Sequence, residues 1–305
     1  MQVRVWAAML FAALGWGTSG VATRAALDAG VQPYGLVAWR TVIAVVVTVI
    51  YLLITQRHLA RQASTWTTGS VLAVTNLALP FVLFTLAYEY AGAGFVGLIV
   101  ALIPLVTAVL ANFALPDEKL KPLKVFGLSL GFTGIAILLA TGDTGIGDAG
   151  DPIIAGSLSL VAVTSISFAG VYAKGRSGTY DPVQLSGVQF IVGAALLVAA
   201  ALVVEGLQTD ISNWGWALLF YMAVFGTVLP FILFYWVLGH ASATKASMIG
   251  YVVPLIAIAA GITLLGEQLE VGIALGGVLI LAGVVITDRA ERRDTAPATP
   301  ESATT

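Results

Sequence analysis

The sequence predicts an all-α integral membrane protein whose ten transmembrane helices form a 5+5 inverted-topology repeat around a central cavity. Three observations lead to this prediction: an apolar composition, ten separate apolar runs, and a phrase that occurs twice. Of the 305 residues, 59% are hydrophobic and only 10% are charged, whereas a soluble domain carries about 25% charged residues. Because so few charged side chains cannot cover a water-facing surface, the lipid bilayer is the expected environment. The net charge of −2 argues against a nucleic-acid partner.

Each apolar run is about as long as a membrane-spanning helix, which takes about 20 residues. Turn residues and charges separate the runs and mark their ends. The ten predicted spans cover residues 5–26, 33–54, 68–89, 93–114, 123–141, 153–174, 182–204, 214–238, 243–265 and 270–288. The remainder, residues 289–305, is polar and rich in Pro, Thr and Ala, and it predicts a disordered cytoplasmic tail.

Lysine and arginine set the predicted orientation, because positively charged loops stay in the cytoplasm. Twelve of these side chains fall on one side of the predicted bundle, Arg24 alone falls on the other, and Arg40 lies inside a span. This split requires an even number of spans with both termini in the cytoplasm, as in a multi-pass protein of the cell (inner) membrane. The loops on the opposite side carry acidic residues, among them Glu205 and Glu267.

One apolar phrase occurs twice, as LPFVLFTLAY at residues 79–88 and as LPFILFYWVL at residues 229–238. The repetition predicts two related halves, residues 1–145 and residues 146–288. Because each half has an odd number of spans, the second half enters the membrane from the opposite side. Such inverted repeats are typical of secondary transporters, with the substrate site near the midplane between the halves. The alternative is that a duplication merely built a large helical bundle.

Four prolines recur at matched places. Pro80 and Pro230 lie 150 residues apart inside predicted spans, and Pro104 and Pro254 do the same. Proline frees the carbonyl four residues before it, and a carbonyl without a donor is costly in lipid. These carbonyls are therefore expected to face protein, water or substrate, which makes the kinked spans candidates for cavity walls and gates. The alternative is a static kink that packs on a neighbouring helix.

Trp16 lies near the middle of the first predicted span, whereas membrane tryptophans usually gather at the two interfaces. Together with Ser19 and Thr23 it forms a stripe at helical spacing beside three glycines. We interpret this stripe as an aromatic wall of a substrate cavity with hydroxyl groups beneath it. The alternative is helix packing through small residues.

Three further polar or aromatic side chains are candidate substrate ligands. Asn76 is the one side-chain amide in the third span, Ser167 belongs to a hydroxyl cluster in the sixth, and Tyr251 precedes Pro254 in the ninth. An amide can bind an amino or carboxyl group of a substrate. Hydroxyl groups in membrane helices often bond to their own backbone instead.

Arg40 is the one clearly intramembrane cation, and its counterpart in the second half is Gln189. Intramembrane charges mark functional sites by default. Glu89 lies at the end of the third span near the same face, so an Arg40–Glu89 pair that forms or breaks with an outer gate is one hypothesis. In the alternative, Arg40 extends to the interface and Glu89 is simply hydrated.

Three segments of the chain resemble the drug/metabolite transporter superfamily of the EamA type. They read GWGTSGVATRAAL, GFVGLIVALIPLVTAVLANFALPDEKL and ASATKASMIGYVVPLIAIAAGITLLGEQL. The first half departs from the family pattern, with Pro116-Asp117-Glu118 where glycine and glutamate are usual. The resemblance implies ten spans, a central cavity lined by spans one, three, four, six, eight and nine, and transport of amino acids, other small metabolites or drugs.

We therefore expect a probable exporter of a small metabolite that works by alternating access. Amino acids, aromatic ones among them, are the favoured substrates. A drug or metabolite facilitator and a non-transporting receptor or scaffold are the alternatives. No nucleophile–base pair or metal-ligand cluster is visible in the sequence, which predicts neither an enzyme nor a cofactor or metal. Glycines such as Gly134 and Gly276 predict close packing of spans five and ten, within a monomer or between the copies of a homodimer.

Overall fold

The computed structural model describes residues 2–114, 122–176, 178–240 and 249–295, most of which lie in helices. The α-helices, numbered in chain order, are α1 (Gln2–Asp28), α2 (Pro33–Ile54), α3 (Ala63–Leu72), α4 (Leu79–Tyr90), α5 (Ala93–Val100), α6 (Ile103–Ala114), α7 (Pro122–Thr141), α8 (Pro152–Lys174), α9 (Pro182–Val204), α10 (Asn213–Ala223), α11 (Leu229–His240), α12 (Ile249–Leu265) and α13 (Val271–Thr295). The π-helices Ala73–Ala78 and Val224–Val228 join α3 to α4 and α10 to α11.

Eight continuous helical stretches in the described chain are long and apolar enough to cross a membrane, and they coincide with the first eight predicted spans. The longest, Ala63–Tyr90, consists of α3, a π-helix and α4. Two shorter apolar helices, Val252–Leu265 and Val271–Thr287, lie where the last two spans are predicted. Because residues 243–248 lie outside the described part of the chain, the count of ten spans stays a prediction.

Large apolar side chains cover much of the outer surface of the bundle. Ile54, Phe113 and Val203 are 77%, 82% and 85% exposed. Soluble monomers rarely expose apolar patches of this extent. The outer surface therefore fits lipid, and the structure is that of a multi-pass membrane protein.

The last helix is longer than predicted. Helix α13 continues to Thr295, so residues 289–295 do not belong to a disordered tail. The reason lies in the sequence "RAERR" at 289–293, since alanine, glutamate and arginine are strong helix formers that prolong a helix into water. Residues 296–305, the rest of the predicted tail, lie outside the described chain.

Proline and aspartate mark the starts of two helices in the second half. Pro152 and Pro182 occupy the first turns of α8 and α9, where proline loses no hydrogen bond. Asp151 and Asp181 precede them, and each carboxylate accepts two backbone N–H groups of the first turn. These caps satisfy donors that lipid would leave unpaired.

Acidic residues of distant loops cap three other helices. Glu205 accepts the backbone N–H of Tyr34 at the start of α2. Asp143 accepts that of Gly272 at the start of α13. Each carboxylate comes from one half of the chain and caps a helix of the other half. Two of the acids in the loops on the predicted outer side are therefore structural caps.

Glu267 makes the most complete of these caps. Its Oε1 accepts the N–H of Ala93 at 2.6 Å and its Oε2 accepts the N–H of Gly94 at 3.0 Å, at the start of α5. Gly92 and Gly261 leave the space for the carboxylate, because a Cβ at either position would meet it. The family-like Gly266-Glu267 ending thus joins the loop after α12 to the beginning of α5.

Arg24, the exception to the predicted charge split, is held at the end of the bundle by protein groups. Its guanidinium forms an ion pair with Asp28 at 3.1 Å. It also donates a hydrogen bond to the carbonyl of Tyr88, in the last turn of α4. A cation at a helix C-terminus is favourable, which accounts for an arginine on the side that otherwise carries acids.

Helices at equivalent places of the two halves pack against each other. Helix α2 lies against α9, α5 against α12, and α7 against α13. Helix α1 packs against α11 and α12, and its counterpart α8 packs against α4 and α6. Several contacts of the first half therefore have counterparts in the second half.

The glycines of α7 and α13 allow these two helices to approach closely within one chain. A Cβ on Gly134 would lie 2.7 Å from the carbonyl oxygen of Gly276 and 3.0 Å from the backbone nitrogen of Ile280. On the other helix, a Cβ on Gly283 would meet the backbone of Gly127. The contact within the chain accounts for these glycines.

Helical irregularities occur beside three of the four matched prolines. Each π-helix ends at the residue directly before a Leu-Pro pair, which is Leu79-Pro80 in the first half and Leu229-Pro230 in the second. Helix α5 ends at Val100 and α6 begins at Ile103, directly before Pro104. Pro254, in contrast, lies inside the continuous helix α12. The expected kinks thus take different forms, and the gating role of these prolines stays a prediction.

Substitution of Gly134 by alanine is expected to destabilise the protein by about 1–3 kcal/mol, because the new methyl group meets backbone that cannot move aside. Gly170→Ala is the matched control, since a Cβ there meets nothing within 4 Å. Thermal unfolding in detergent measures both. Equal unfolding temperatures for the two variants would contradict the close packing of α7 and α13.

Glu267→Gln is expected to lower stability by about 2 kcal/mol, because an amide accepts through one oxygen only and carries no charge. One of the two N–H groups at the start of α5 then loses its acceptor. Glu89→Gln, the same change at an exposed carboxyl at the end of α4, is expected to be neutral. Thermal unfolding in detergent measures both variants. An unchanged unfolding temperature for Glu267→Gln would contradict the capping role of Glu267.

Candidate functional site

A polar cluster of three side chains lies inside the bundle, where a π-helix, α9 and α11 meet. Asn76 Nδ2 donates to the hydroxyl of Tyr235 at 3.2 Å. That hydroxyl donates to Gln189 Oε1 at 2.6 Å. Tyr235 is 1% exposed and Gln189 is fully buried. The cluster joins one residue of the first half to two of the second.

The amide nitrogen of Gln189 is buried and has no hydrogen-bond partner among the described residues. A buried donor without an acceptor costs about 1–3 kcal/mol, so such groups are uncommon in folded proteins. The nitrogen lies beside Tyr235 and Asn76, and an acceptor of a bound molecule would satisfy it. Sequence analysis identified Asn76 as a ligand but Gln189 only as the counterpart of Arg40. A lone amide in the otherwise apolar run VQFIVGAALL is the signal that marks it.

Aromatic rings enclose this polar cluster on one side. Trp16 contacts Phe231 and Phe234 edge to face, with ring centroids 5.9 Å and 5.7 Å apart. Phe231 in turn contacts Tyr235 and Phe190, at 6.2 Å and 5.7 Å. The structure therefore brings Trp16 and Asn76, two of the predicted ligands, to one aromatic-lined region. Trp16 remains partly exposed within it.

Ser19 and Thr23 are buried between helices. Thr23 Oγ1 donates to the Ser19 carbonyl at 2.8 Å and lies 3.3 Å from the sulfur of Met222. A Cβ on Gly226 would come within 2.7 Å of Ser19 Oγ, so the serine fills space left by that glycine. These contacts fit the packing alternative, and a role in substrate binding stays a prediction. Thr18 makes a further contact across the bundle, with its Oγ1 2.7 Å from the Tyr221 hydroxyl.

Hydroxyl groups of α8 bind carbonyls at the irregular segments. Ser167, which is buried, donates to the carbonyl of Ile103 at 3.2 Å. Ser165 donates to the carbonyl of Thr75, in the first π-helix, at 2.7 Å. The structure thus uses Ser167 to support the break before Pro104 and does not place it in the Asn76–Tyr235–Gln189 cluster. The side chain of Tyr251 lies outside the described part of the structure.

Arg40 binds the joint between α10 and α11. Its Nε donates to Thr227 Oγ1 at 2.7 Å, and its Nη2 donates to the Gly226 carbonyl at 2.8 Å. The guanidinium also lies 4.2 Å from the centre of the Phe81 ring. Gly226 is four residues before Pro230, so the carbonyl freed by that proline is satisfied by Arg40.

In this structure the hypothesised Arg40–Glu89 ion pair is absent from the described residues. Arg40 is buried and directed at the second π-helix, whereas Glu89 is exposed at the end of α4. A buried cation satisfied by a carbonyl and a hydroxyl needs no carboxylate within hydrogen-bond reach. A gating role for Arg40 and Glu89 stays a prediction that no longer rests on their direct pairing.

A cavity of about 350 Å³ opens at one end of the bundle. Its lining residues belong to the segment after α2, the segment between α8 and α9, and the last turns of α11: Arg57, Gly178, Tyr180, Asp181, Pro182, Tyr235, Trp236 and His240. This end carries the positive loops and is the predicted cytoplasmic side. The cavity therefore does not coincide with the midplane cavity expected from the sequence, which stays a prediction. Tyr235 belongs to both regions, because it is among the residues that line the cavity and its hydroxyl bonds Asn76 and Gln189.

Solved structures and curated relatives show what the chain is similar to. A crystal structure of another protein, 18% identical, superimposes with a TM-score of 0.67 over 96% of this chain and 99% of the other. The uncharacterized transporter YvbV of Bacillus subtilis is 27% identical over 95% of this chain and 93% of its own length. A WAT1-related chloroplastic protein of Arabidopsis thaliana is 23% identical over 95% of this chain and 70% of its own.

The sequence profile of the EamA-like transporter family matches the chain twice, over residues 5–140 and over residues 153–287. The two matches confirm the resemblance inferred from the motifs and fall within the two predicted halves. The chain therefore belongs to the EamA-like transporter family.

Proposed function

We propose that the protein exports a small metabolite across the cell membrane by alternating access, and that amino acids, aromatic ones in particular, are its substrates. The observation that carries this proposal is the buried amide nitrogen of Gln189, which lacks an acceptor beside an aromatic-lined region. A substrate carboxylate supplies an acceptor of the required kind. A planar side chain fits against the edges of Trp16 and Phe234, since aromatic pairs favour edge-to-face contacts.

The proposed mechanism requires two halves of inverted topology. Three pairs of equivalent helices in contact, α2 with α9, α5 with α12 and α7 with α13, support that arrangement. The two π-helices, at matched places before Pro80 and Pro230, support it as well. In such a repeat, each half closes one side of the membrane in turn around a site between them. Asn76 from the first half and Gln189 from the second then bind one substrate together.

The irregular segments are the proposed hinges of this motion. A π-helix has a surplus residue in its turn and weaker hydrogen bonds than an α-helix, and such segments are frequent at functional sites. Arg40 stabilises one of the two arrangements by binding the Gly226 carbonyl beside Pro230. Its counterpart Gln189 lies beside the other π-helix and makes only the bond through its oxygen. Arg40 thus binds the backbone of one π-helix, whereas Gln189 does not bind the backbone of the other in the described structure. Such a difference between the halves is expected if the halves close in turn.

A facilitator of drugs or other apolar metabolites is the second candidate, because an aromatic wall such as Trp16, Phe231 and Phe234 also fits apolar compounds without a carboxylate. In either case both termini are proposed to face the cytoplasm, in agreement with the charge of the loops.

Proteoliposomes that contain the purified protein are expected to take up labelled aromatic amino acids, and the Gln189→Leu variant is expected to be slower by about tenfold, the equivalent of one lost hydrogen bond. Ser186→Ala is the matched control, because its hydroxyl is also buried and unpaired in α9. Equal uptake of all compounds in a panel of amino acids and nucleosides would contradict the proposed function. Equal uptake rates for the Gln189→Leu and Ser186→Ala variants would exclude Gln189 from the site.

Arg40→Gln is expected to change the outward accessibility of a cysteine placed at Tyr90, because the shorter, uncharged side chain cannot keep both the bond to Thr227 and the bond to the Gly226 carbonyl beside Pro230. The chain has no cysteine of its own, so a single introduced thiol reports alone. Arg61→Gln, an exposed arginine outside the bundle core, serves as the control. Labelling rates that Arg40→Gln leaves unchanged would contradict the proposed gating role of Arg40.

A further inference from the structure

The cavity at the predicted cytoplasmic end presents one cation and one anion side by side. Arg57 Nη1 lies 3.6 Å from Asp181 Oδ2, and the two side chains are 52% and 40% exposed. A charge-assisted hydrogen bond is shorter, about 2.7–2.9 Å. The two groups are thus neighbours without a close bond, and solvent or a solute reaches both of them.

The carboxylate of Asp181 is oriented by the backbone. Its Oδ1 accepts the N–H groups of Val183 and Gln184 at 3.0 Å and 3.1 Å. This cap fixes the side chain and leaves Oδ2 directed toward Arg57. The site therefore offers an anionic oxygen at a defined position, beside the fork of guanidinium N–H donors that suits a carboxylate.

Aromatic side chains line the rest of the cavity. Tyr180 and Tyr235 meet edge to face with ring centroids 6.1 Å apart. Trp236 and His240 are stacked at 4.3 Å, and the Trp236 carbonyl lies 2.8 Å from His240 Nδ1. Burial raises the pKa of the Tyr180 hydroxyl, so this group stays protonated and uncharged at neutral pH. The volume of about 350 Å³ lies within the range of small-molecule pockets.

We propose that this cavity is a second binding site, which takes a zwitterion with a planar apolar group before the molecule reaches the buried amides. The carboxylate binds Arg57, the ammonium group binds Asp181, and the planar group lies between Tyr180 and Trp236. This inference rests on the proposed function and names the class of solute that the protein collects at its cytoplasmic end. It assigns a role to Arg57, which sequence analysis counted only among the positive charges that set the orientation, and to Asp181, which sequence analysis did not use.

Tyr235 connects this site to the interior cluster. It is one of the residues that line the cavity, and its hydroxyl bonds both Asn76 and Gln189. A rotation of the Tyr235 side chain would break these two bonds. In the proposal, the two sites form one path, with the charged groups at its mouth and the amides at its inner end.

The head group of an aminophospholipid carries the same pairing of an anion with an ammonium group. The planar apolar group distinguishes the two sources, because a lipid head group has none. Nanodiscs made of phosphatidylcholine alone, or with added phosphatidylethanolamine, provide a direct comparison.

The test is calorimetric binding of L-tryptophan to the full chain in phosphatidylcholine nanodiscs. Tryptamine lacks the carboxylate, indole-3-propionate lacks the ammonium group and L-alanine lacks the ring. Each is expected to bind about tenfold more weakly than tryptophan, the equivalent of one lost charge-assisted contact or ring contact. Arg57→Gln is expected to remove the preference over tryptamine, and Asp181→Asn the preference over indole-3-propionate. Asparagine keeps the helix cap, so the second variant separates binding from folding.

Arg61→Gln and Asp210→Asn are the matched controls, because both residues are exposed and neither lines the cavity. Controls that lose binding as strongly as Arg57→Gln and Asp181→Asn would overturn the proposed site. Equal binding of all four compounds would also overturn it, and so would loss of tryptophan binding on addition of phosphatidylethanolamine. If Arg57→Gln proteoliposomes transport tryptophan with unchanged KM, the second site falls and the proposed function stands. If the unaltered protein transports no amino acid, the proposed function itself falls, whatever the nanodiscs bind.

Discussion

The constraint on which this structure depends is that a backbone carbonyl or N–H group in lipid must find its partner within the protein. Prolines and helix ends break the regular pattern of hydrogen bonds, and side chains repair several of these breaks. Arg40 binds the carbonyl of Gly226, which Pro230 leaves free, and Glu267 accepts the N–H groups at the start of α5. Ser167 binds the carbonyl of Ile103, next to the helix break before Pro104. Several polar side chains inside the bundle thereby have a structural role. The amide nitrogen of Gln189, in contrast, is buried without an acceptor among the described residues.

This nitrogen gives the candidate site its chemical character. The other buried side-chain atoms without a partner among the described residues are four hydroxyl groups, those of Thr48, Ser159, Ser186 and Thr287. Gln189 is also the counterpart of Arg40, which is fully engaged, so the two halves of the chain differ at this one matched position. Around Gln189, the rings of Phe190, Phe231 and Tyr235 exclude water. A low-dielectric surrounding of this kind strengthens a hydrogen bond to a bound carboxylate or carbonyl group.

Much of the fold was predictable from the sequence, and much of the site was not. Apolar run length located eight helices to within a few residues, because the bilayer thickness sets that length directly. The matched prolines at 80 and 230 predicted kinks, and the structure has a π-helix before each of them. Partners across the bundle were harder to foresee, since Arg40 and Glu89 are near in predicted depth but point in different directions. Gln189 and Tyr235 were not among the predicted ligands, because their roles depend on contacts between α9 and α11, which helical spacing along one chain does not encode. The extension of α13 to Thr295 was missed because the polar composition of residues 289–295 was interpreted as a sign of disorder.

The caps that cross between the halves have a consequence for biogenesis. Helices α2 and α5 are made early, but the carboxylates that cap them belong to Glu205 and Glu267, which leave the ribosome much later. The first half of the chain is therefore made before the acceptors for the N–H groups at the starts of α2 and α5 exist, and these groups gain their partners only when the second half folds against it. We expect the first half alone, without Glu205 and Glu267, to be less stable than the same helices in the whole chain.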